Sequence, residues 1–223
     1  MSIRTITLDP WNPRRDLIDQ AAQALRIGRV LLIPTDTTWA LICNAQERSA
    51  VAKLTQLRER TDQARGDERE LKNRPLALMC PNLSSVGRFT VMNQAQFRLV
   101  KRVLPGPYTV LLPASREVPR LLRENRKAIG IRLPAYPLVE ALLDAFGDPV
   151  YTTTARDEHG ELLQGPTDLH HDLQQAIDVI VESDPIVPME STVVDATVEP
   201  PQVIRAGLGP LEDYWEAAAK DED

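Results

Sequence analysis

Segments with the hydrophobic spacing of a helix alternate along this chain with short apolar runs typical of strands. Residues 14–27 repeat apolar side chains every three or four positions, which is typical of an amphipathic helix, and Gly28 follows as a stop. Residues 29–33 form a short apolar run, which is typical of a buried strand. The same patterns predict further helices at 47–60, 93–104, 116–124, 137–146 and 167–176, and further strands at 76–80, 108–112, 128–133, 149–154, 178–182, 191–195 and 202–205.

The regular exchange of strands and helices predicts an α/β layer fold built on a mixed sheet. No linker or repeat divides the chain, so we expect residues 1–209 to form a single domain, followed by a C-terminal helix and acidic tail at 210–223. A long polar segment at 61–73 interrupts the pattern. Its length and mixed charge are compatible both with a lid over a ligand and with a solvated loop.

Composition excludes several classes of protein. The 223 residues are 43% hydrophobic, which is ample for a core, and no apolar run reaches the roughly 18 residues of a membrane span. The N-terminus has no apolar signal segment, so we expect a cytoplasmic protein. Cys43 and Cys80 lie in apolar runs without a CxxC motif, and we expect both to be reduced core residues. The net charge of −6 argues against a protein that coats nucleic acid.

Small hydroxyl side chains and single arginines occur at the ends of several predicted strands. Residues 35–38 place three threonines and Asp36 directly after the first strand, and this stretch alone favours a solvated turn. Open α/β sheets bind ligands at strand ends, however, so the recurrence of the pattern indicates a binding site. The other strand-end residues are Thr109, Arg132, Thr152, Thr154, Ser191, Thr192 and Arg205.

The arginines of this pattern indicate the charge of the ligand. A guanidinium among apolar strand residues needs a partner, and Asp36 or Asp195 could neutralise one arginine each. Four arginines outnumber these obvious acidic partners, which predicts a phosphate or carboxylate ligand. They are Arg58 and Arg60 at a helix end, and Arg132 and Arg205 in strands. The chain lacks the phosphate-binding loop, dinucleotide-binding and nucleophile-elbow motifs, so none of those standard sites is predicted.

The segment Pro34-Thr-Asp-Thr-Thr-Trp-Ala-Leu41 resembles the PTDTxYGL signature of the YrdC/YciO-like family, the threonylcarbamoyladenylate synthases. Seven further segments resemble blocks of that family and come in the family's order, over roughly residues 12 to 209. These segments are Arg58-Glu-Arg60, Arg74-Pro-Leu76, Pro105-Gly-Pro-Tyr-Thr109, Gly130-Ile-Arg-Leu-Pro134, Thr152-Thr-Thr-Ala155, Glu190-Ser-Thr-Val-Val-Asp195 and Arg205-Ala-Gly207. The resemblance implies a YrdC-like fold, a twisted mixed sheet with flanking helices and a concave positive cavity.

The resemblance also implies a nucleotidyltransferase activity. The family makes threonylcarbamoyl-AMP from L-threonine, bicarbonate and ATP, releases pyrophosphate, and so supplies the t6A modification of tRNA. ATP would be a substrate that carries its own Mg²⁺, with no tightly bound cofactor and no protein metal site. Residues in the matching blocks would bind threonine (Thr35, Arg132 and Ser191), act in catalysis (Arg58 and Arg60), and bind the nucleotide (Arg58, Arg60, Thr109, Thr152, Thr154 and Arg205).

Several positions differ from the synthase pattern and point to the YciO branch of the family. The chain has Trp39, Ala40, Arg58, Met79 and Arg156 where the family motifs have Tyr, Gly, Lys, His and Asn. Two other functions therefore stay open. One is a protein that binds double-stranded RNA or tRNA through the same cavity, with an affinity that falls steeply with salt. The other is a nucleotide or carbamate enzyme with a different acceptor, in which Trp39 and the 61–73 segment reshape the amino-acid pocket.

Overall fold

The computed structural model describes residues 3–64, 77–123 and 127–212. Within these ranges the chain forms seven α-helices and ten strands, and no helix there is both long and apolar enough to cross a membrane. The helices are α1 (Arg15–Arg26), α2 (Arg48–Ala64), α3 (Leu83–Phe89), α4 (Gln94–Val103), α5 (Arg120–Arg123), α6 (Pro137–Phe146) and α7 (His171–Ala176). The strands are β1 (Arg4–Thr7), β2 (Leu31–Pro34), β3 (Trp39–Asn44), β4 (Ala77–Met79), β5 (Tyr108–Pro113), β6 (Ala128–Arg132), β7 (Val150–Thr154), β8 (Val179–Glu182), β9 (Thr192–Asp195) and β10 (Gln202–Arg205).

The ten strands form one mixed sheet in the order β1-β8-β2-β3-β7-β4-β6-β5-β9-β10. The pairs β1/β8, β2/β8, β4/β6 and β5/β9 are parallel. The other five pairs among the described strands are antiparallel. This architecture confirms the predicted α/β fold with a mixed sheet and flanking helices. The division into a domain at 1–209 and a tail at 210–223 stays a prediction, and residues 213–223 lie outside the described ranges.

One face of the sheet is covered by α2, α3, α4 and α7. Leu54 of α2 and Val100 of α4 join strand residues such as Leu41 and Val110 in a single buried cluster. Successive side chains of a strand point to opposite faces of the sheet, so Leu41 and Val110 point to this face and their chain neighbours point to the other. This face is therefore closed to ligands over most of its width.

The opposite face is covered over only part of the sheet. Helices α1 and α6 pack on it, and their residues Leu25 and Leu142 join Ile33, Ile42 and Val150 in a second buried cluster. α6 begins at Pro137, where a missing N–H costs no helical hydrogen bond, and ends at Gly147 with φ of 91°. A cavity lies at the part of this face formed by the ends of β4, β5, β6 and β7 and by β9.

Some elements differ from the sequence-based expectation. The predictions omitted β1, β3 and α3, and they placed α5 at 116–124 although it begins at Arg120. Pro119 explains the late start, because proline disfavours helical backbone in the residue before it. The helix predicted at 167–176 is split into a 3₁₀ turn at Pro166–Asp168 and α7. α2 extends to Ala64, so residues 61–64 of the predicted polar loop are helical, and residues 65–73 lie outside the described part of the chain.

Both cysteines lie in the core, as predicted. Cys43 and Cys80 are free and fully buried. Burial raises the pKa of each thiol to about 12, because the apolar surroundings disfavour the thiolate. Neither thiol is therefore suited to nucleophilic chemistry at neutral pH.

Candidate functional site

The cavity on the open face of the sheet has a volume of about 280 Å³. Small or apolar side chains form its floor, and they come from the strand positions that alternate away from the closed face. Its walls carry hydroxyl groups and arginines. The floor residues include Ala40, Ala77, Met79, Leu111 and Gly130, and the wall residues include Thr35, Arg58, Thr109, Arg132, Thr152, Thr154, Arg156, Ser191 and Arg205.

The turn between β2 and β3 uses its first hydroxyl internally. The Thr35 hydroxyl donates to the carbonyl of Thr38 at 2.7 Å and accepts from the N–H groups of Thr37 at 3.2 Å and Thr38 at 3.1 Å. These contacts are those of a hydroxyl-capped turn. The expectation that the turn is solvated was wrong, because its three threonines are buried. All three threonines also line the cavity, so the turn gives that wall a fixed shape.

Arg132 of β6 is neutralised by one carboxylate. Its Nη2 donates to Asp36 Oδ1 at 2.6 Å and to Thr37 Oγ1 at 3.0 Å, and its Nη1 donates to the carbonyl of Tyr108 at 3.1 Å. The two charged side chains are only 7% and 10% exposed. Burial lowers the pKa of Arg132, and the Asp36 carboxylate opposes that shift. The predicted pairing of Asp36 with a strand arginine is confirmed.

Arg58 and Arg60 of α2 point in different directions. Arg58 lines the cavity, with its Nε 3.5 Å from Asp62 Oδ2. Burial raises the pKa of the Tyr151 hydroxyl, and the nearby charge of Arg58 opposes that rise. Arg60 is not among the cavity residues, and its Nη1 donates to Asp172 Oδ2 of α7 at 2.6 Å, where both side chains are about half exposed. The structure therefore brings Arg58 into the site and leaves Arg60 outside it.

Hydroxyl groups of β5, of β7 and of Ser191, which precedes β9, reach the cavity in two ways. Thr109 Oγ1 and Ser191 Oγ lie 2.9 Å apart and share a hydrogen bond. Thr152 and Thr154 line the cavity from β7, and in the described residues their hydroxyls have no protein partner. These two hydroxyls are the ones that a ligand could engage without breaking an existing contact.

A cluster of three charged side chains was missed by the sequence-based reasoning. Glu190 Oε1 accepts from Nη2 of Arg156 and, at 2.8 Å, from Nη1 of Arg205. Arg156 Nη1 also donates to the carbonyl of Gly160 at 2.9 Å. Arg205 donates from Nε and Nη2 to the carbonyl of Ser191. We call Arg156, Glu190 and Arg205 the paired-arginine cluster.

No sequence signal indicates this cluster, because its members lie 34 and 15 positions apart and meet only through the order of the strands. The prediction that the four arginines outnumber their acidic partners was wrong for three of them, which have a carboxylate each. Among the described residues, Arg58 has Asp62, Arg60 has Asp172 and Arg132 has Asp36. Arg156 and Arg205 both have Glu190. Asp195, the other predicted partner, instead accepts hydrogen bonds from Thr197.

Two of the unusual positions have clear structural places. Met79 lies on the cavity floor and is also part of the core beneath α1 and α6. Trp39 is buried on the closed face, where its Nε1 donates to the carbonyl of Gln164 at 3.2 Å. The structure thus gives Trp39 a core position outside the cavity, and the idea that it reshapes an amino-acid pocket finds no support.

Comparisons with known proteins agree with this geometry. The family model Sua5/YciO/YrdC, described as telomere recombination, matches residues 23–207. The chain is 32% identical to the uncharacterized protein YciO of Escherichia coli K12 over 209 residues, which are 93% of this chain and 97% of that protein. It is 28% identical to a threonylcarbamoyl-AMP synthase of Pyrococcus abyssi over 202 residues, which are 86% of this chain and 54% of the synthase. The chain therefore matches about half of that synthase.

Solved structures show the same fold. The crystal structure of Escherichia coli YciO superposes with a TM-score of 0.81 at 31% identity and covers 96% of this chain and 100% of that one. A structure of Pyrococcus abyssi Sua5 has a TM-score of 0.78 at 26% identity, over 95% of this chain and 63% of that one. Another structure of that Sua5, complexed with L-threonine, has a TM-score of 0.77 at 23% identity, over 97% and 61% of the two chains.

Proposed function

Because the chain belongs to the Sua5/YciO/YrdC family, we propose that it catalyses threonylcarbamoyl-AMP synthesis from L-threonine, bicarbonate and ATP. The product would serve the t6A modification of tRNA. One observation carries the proposal: a cavity on one face of the sheet brings together several arginine side chains and strand hydroxyls that have no protein partner in the described residues. The threonylcarbamoyl-AMP synthase of Pyrococcus abyssi, at 28% identity, supports the same reaction.

The cavity offers groups for each part of the substrates. Guanidinium groups of Arg58 and Arg205 suit the phosphates of ATP, and hydroxyls of Thr152 and Thr154 can bond the nucleotide. The pair formed by Thr109 and Ser191 lies on the same lining and could bond either substrate. Mg²⁺ would arrive with ATP, because it binds phosphates readily and needs few protein ligands.

The threonine carboxylate and amine need a different part of the lining. Thr35, Arg132 and Ser191 are proposed for that role. Arg132 already pairs with Asp36. It would therefore bind the carboxylate of the threonine substrate through guanidinium N–H groups while it stays paired with Asp36. We do not extend the proposal to Arg60, since its guanidinium pairs with Asp172 outside the cavity.

The reaction needs no protein nucleophile. The threonine amine attacks bicarbonate and water leaves, which gives a carbamate. A carbamate oxygen then attacks the α-phosphorus of ATP, a bond forms between that oxygen and phosphorus, and the bond to pyrophosphate breaks. The protein's part is to hold the reactants in line and to stabilise the charge that gathers on the leaving pyrophosphate. Buried arginines and fixed hydroxyls are suited to that task.

The reaction itself is the test. Pyrophosphate release from ATP is measured with and without L-threonine and bicarbonate, for the natural protein and for Arg58→Ala and Arg60→Ala. We expect release that requires all three substrates, a loss of at least about 100-fold in Arg58→Ala because an arginine on the transferring phosphates is removed, and a change of less than about threefold in Arg60→Ala because an exposed ion pair contributes little.

Three other outcomes of this assay would replace the proposed function. Release that needs ATP and bicarbonate but prefers another amine would assign a different acceptor. The absence of release, with ATP still raising the melting temperature, would reject the synthase and leave a nucleotide site. If neither occurs and tRNA binds with an affinity that falls steeply with salt, the RNA-binding alternative replaces the proposal.

A further inference from the structure

We propose that Ile204 of β10 is a further nucleotide-binding residue of the cavity, and that its exposed side chain packs against the nucleobase. Sequence reasoning assigned the neighbouring Arg205 and gave no role to Ile204. The inference rests on the proposed function for the identity of the ligand, which is ATP. It adds an apolar contact to a nucleotide site whose other proposed residues are arginines and threonines.

An irregularity in the pairing of β10 with β9 places Ile204 in the cavity. The register pairs Val203 with Val194. It then pairs Arg205 with Val193, which leaves Ile204 without a partner in β9. This arrangement is that of a β-bulge, which changes the direction of the side chains around it. In a regular strand Ile204 and Arg205 would point to opposite faces, but here both belong to the lining of the cavity.

The exposure of Ile204 distinguishes it from the apolar residues on the floor of the cavity. Met79 and Leu111 are 1% and 7% exposed, whereas Ile204 is 56% exposed. β10 also lies at the edge of the sheet, where an exposed apolar side chain favours pairing with other chains. Ile204 therefore offers apolar surface that a ligand in the cavity can bury, and this burial would be favourable.

The neighbour of Ile204 indicates which group of the ligand it contacts. Arg205 is proposed above for the phosphates of ATP, and consecutive Cα atoms lie only about 3.8 Å apart. A ligand that contacts both side chains needs an anionic group and an apolar surface on a short link. In a nucleotide, one ribose joins the phosphates to a base with apolar faces. The base is therefore the group that fits Ile204.

Hydrogen bonds on both sides of Ile204 hold this segment in place. The ladder with β9 fixes the start of β10. After the strand, the Leu208 N–H donates to the carbonyl of Glu190 at 2.8 Å, and the Thr192 hydroxyl donates to the carbonyl of Gly209 at 2.7 Å. The branched side chain of isoleucine is itself restricted at χ1. A ligand that packs against Ile204 therefore has to order little of the protein.

Binding measurements with two probes test the inference. ATP and inorganic tripolyphosphate are each titrated in the presence of Mg²⁺, because tripolyphosphate has a chain of three phosphates without the nucleoside. We expect Ile204→Ser to weaken ATP binding roughly tenfold and to change the affinity for tripolyphosphate by less than about twofold. We expect Ile204→Phe to strengthen ATP binding by about fivefold or more, because an aromatic ring stacks on a base.

Val187→Ser is the matched control. Val187 is 90% exposed and is not among the cavity residues, so this variant removes an exposed apolar side chain outside the site. Its affinities for ATP and tripolyphosphate should equal those of the natural protein. The melting temperature of each unliganded variant shows that it is folded. If Ile204→Ser does not fold, Ile204→Phe still decides the question, because phenylalanine is well tolerated in strands.

Three results would overturn the inference. Unchanged ATP affinity in both Ile204 variants would mean that the base lies elsewhere. Equal weakening of ATP and tripolyphosphate binding in Ile204→Ser would mean that Ile204 only supports the phosphate site. Binding of neither probe by the natural protein would reject the nucleotide site together with the inference. Failure of the proposed function alone is distinguishable, because ATP binding would still depend on Ile204 while no pyrophosphate is released.

Discussion

Two ion clusters border the cavity, and they solve the burial of arginine in different ways. Arg132 has one carboxylate of its own, and Asp36 is completed by a further hydrogen bond from the N–H of Ala135 at 3.2 Å. Arg156 and Arg205 share the single carboxylate of Glu190. The first cluster ties the β2–β3 turn to β6, whereas the second joins the residues that follow β7, precede β9 and end β10. One carboxylate therefore holds a single turn in the first cluster and three separate segments in the second.

The largest expected effect concerns the first cluster. Asp36→Ala leaves Arg132 buried without its carboxylate, so we expect the free energy of unfolding to fall by about 3–5 kcal/mol. Urea unfolding measures it. The matched control is Asp172→Ala, which removes the exposed partner of Arg60 and should cost less than about 1 kcal/mol. Similar losses of unfolding free energy in both variants would mean that the buried pair stabilises the fold no more than the surface pair does.

A smaller effect is expected where the chain supports the shared carboxylate. A methyl group at Gly207 would collide with backbone atoms of Glu190 and Ser191, so Gly207→Ala should lower the free energy of unfolding by about 1–3 kcal/mol. It should also weaken ATP binding, because Arg205, which we propose for the phosphates, donates to the Ser191 carbonyl that Gly207 passes closely. Gly87→Ala is the control: it lies in α3 with open space around the new methyl group and should raise stability by up to about 1 kcal/mol. Unchanged stability and binding in Gly207→Ala would show that this contact does not hold the cluster.

The smallest effects separate the two kinds of threonine at the cavity. Thr35→Val removes hydrogen bonds inside the β2–β3 turn and should lower the free energy of unfolding by about 1–2 kcal/mol. Thr152→Val removes a hydroxyl without a protein partner in the described chain, so stability should stay within about 0.5 kcal/mol. The affinity for ATP should fall roughly fivefold in Thr152→Val, as for the loss of one hydrogen bond. Urea unfolding and an ATP titration measure the two effects, and the reverse ranking in stability would contradict the assignment of hydroxyl roles.

Much of the sheet could be predicted from sequence because its central strands are continuous apolar runs. β1 escaped prediction because three of its four residues are exposed, which leaves no apolar run to recognise. β3 escaped because Trp39–Asn44 follows the threonine turn at once and was interpreted as part of a motif. α3 is a seven-residue helix with two serines and a glycine, which gives too little helical period to detect. Sequence pattern does not reveal an element that is short, or one whose pairing depends on strands distant in the sequence.

The candidate site was predictable in composition but not in pairing. Arg58 and Arg60 are two positions apart on one helix, so they face different sides, and this geometry could have excluded Arg60 from sequence alone. The partnership of Arg156 with Glu190 could not have been found, because the two lie on segments that only the strand order brings together. The motif resemblance identified the hydroxyls and arginines of the cavity lining without indicating which carboxylate each arginine meets.

The order of the strands also sets the time at which the protein can fold during its synthesis. β8 lies between β1 and β2, so β1 lacks its neighbour, and β2 lacks one of its two, until Val179–Glu182 has left the ribosome. Until then the apolar edge of β2 is open, and pairing with another chain competes with correct folding. The wall that carries Arg205 forms later still, when β10 pairs with β9. The lining of the cavity is therefore complete only in chains that have been translated beyond residue 205.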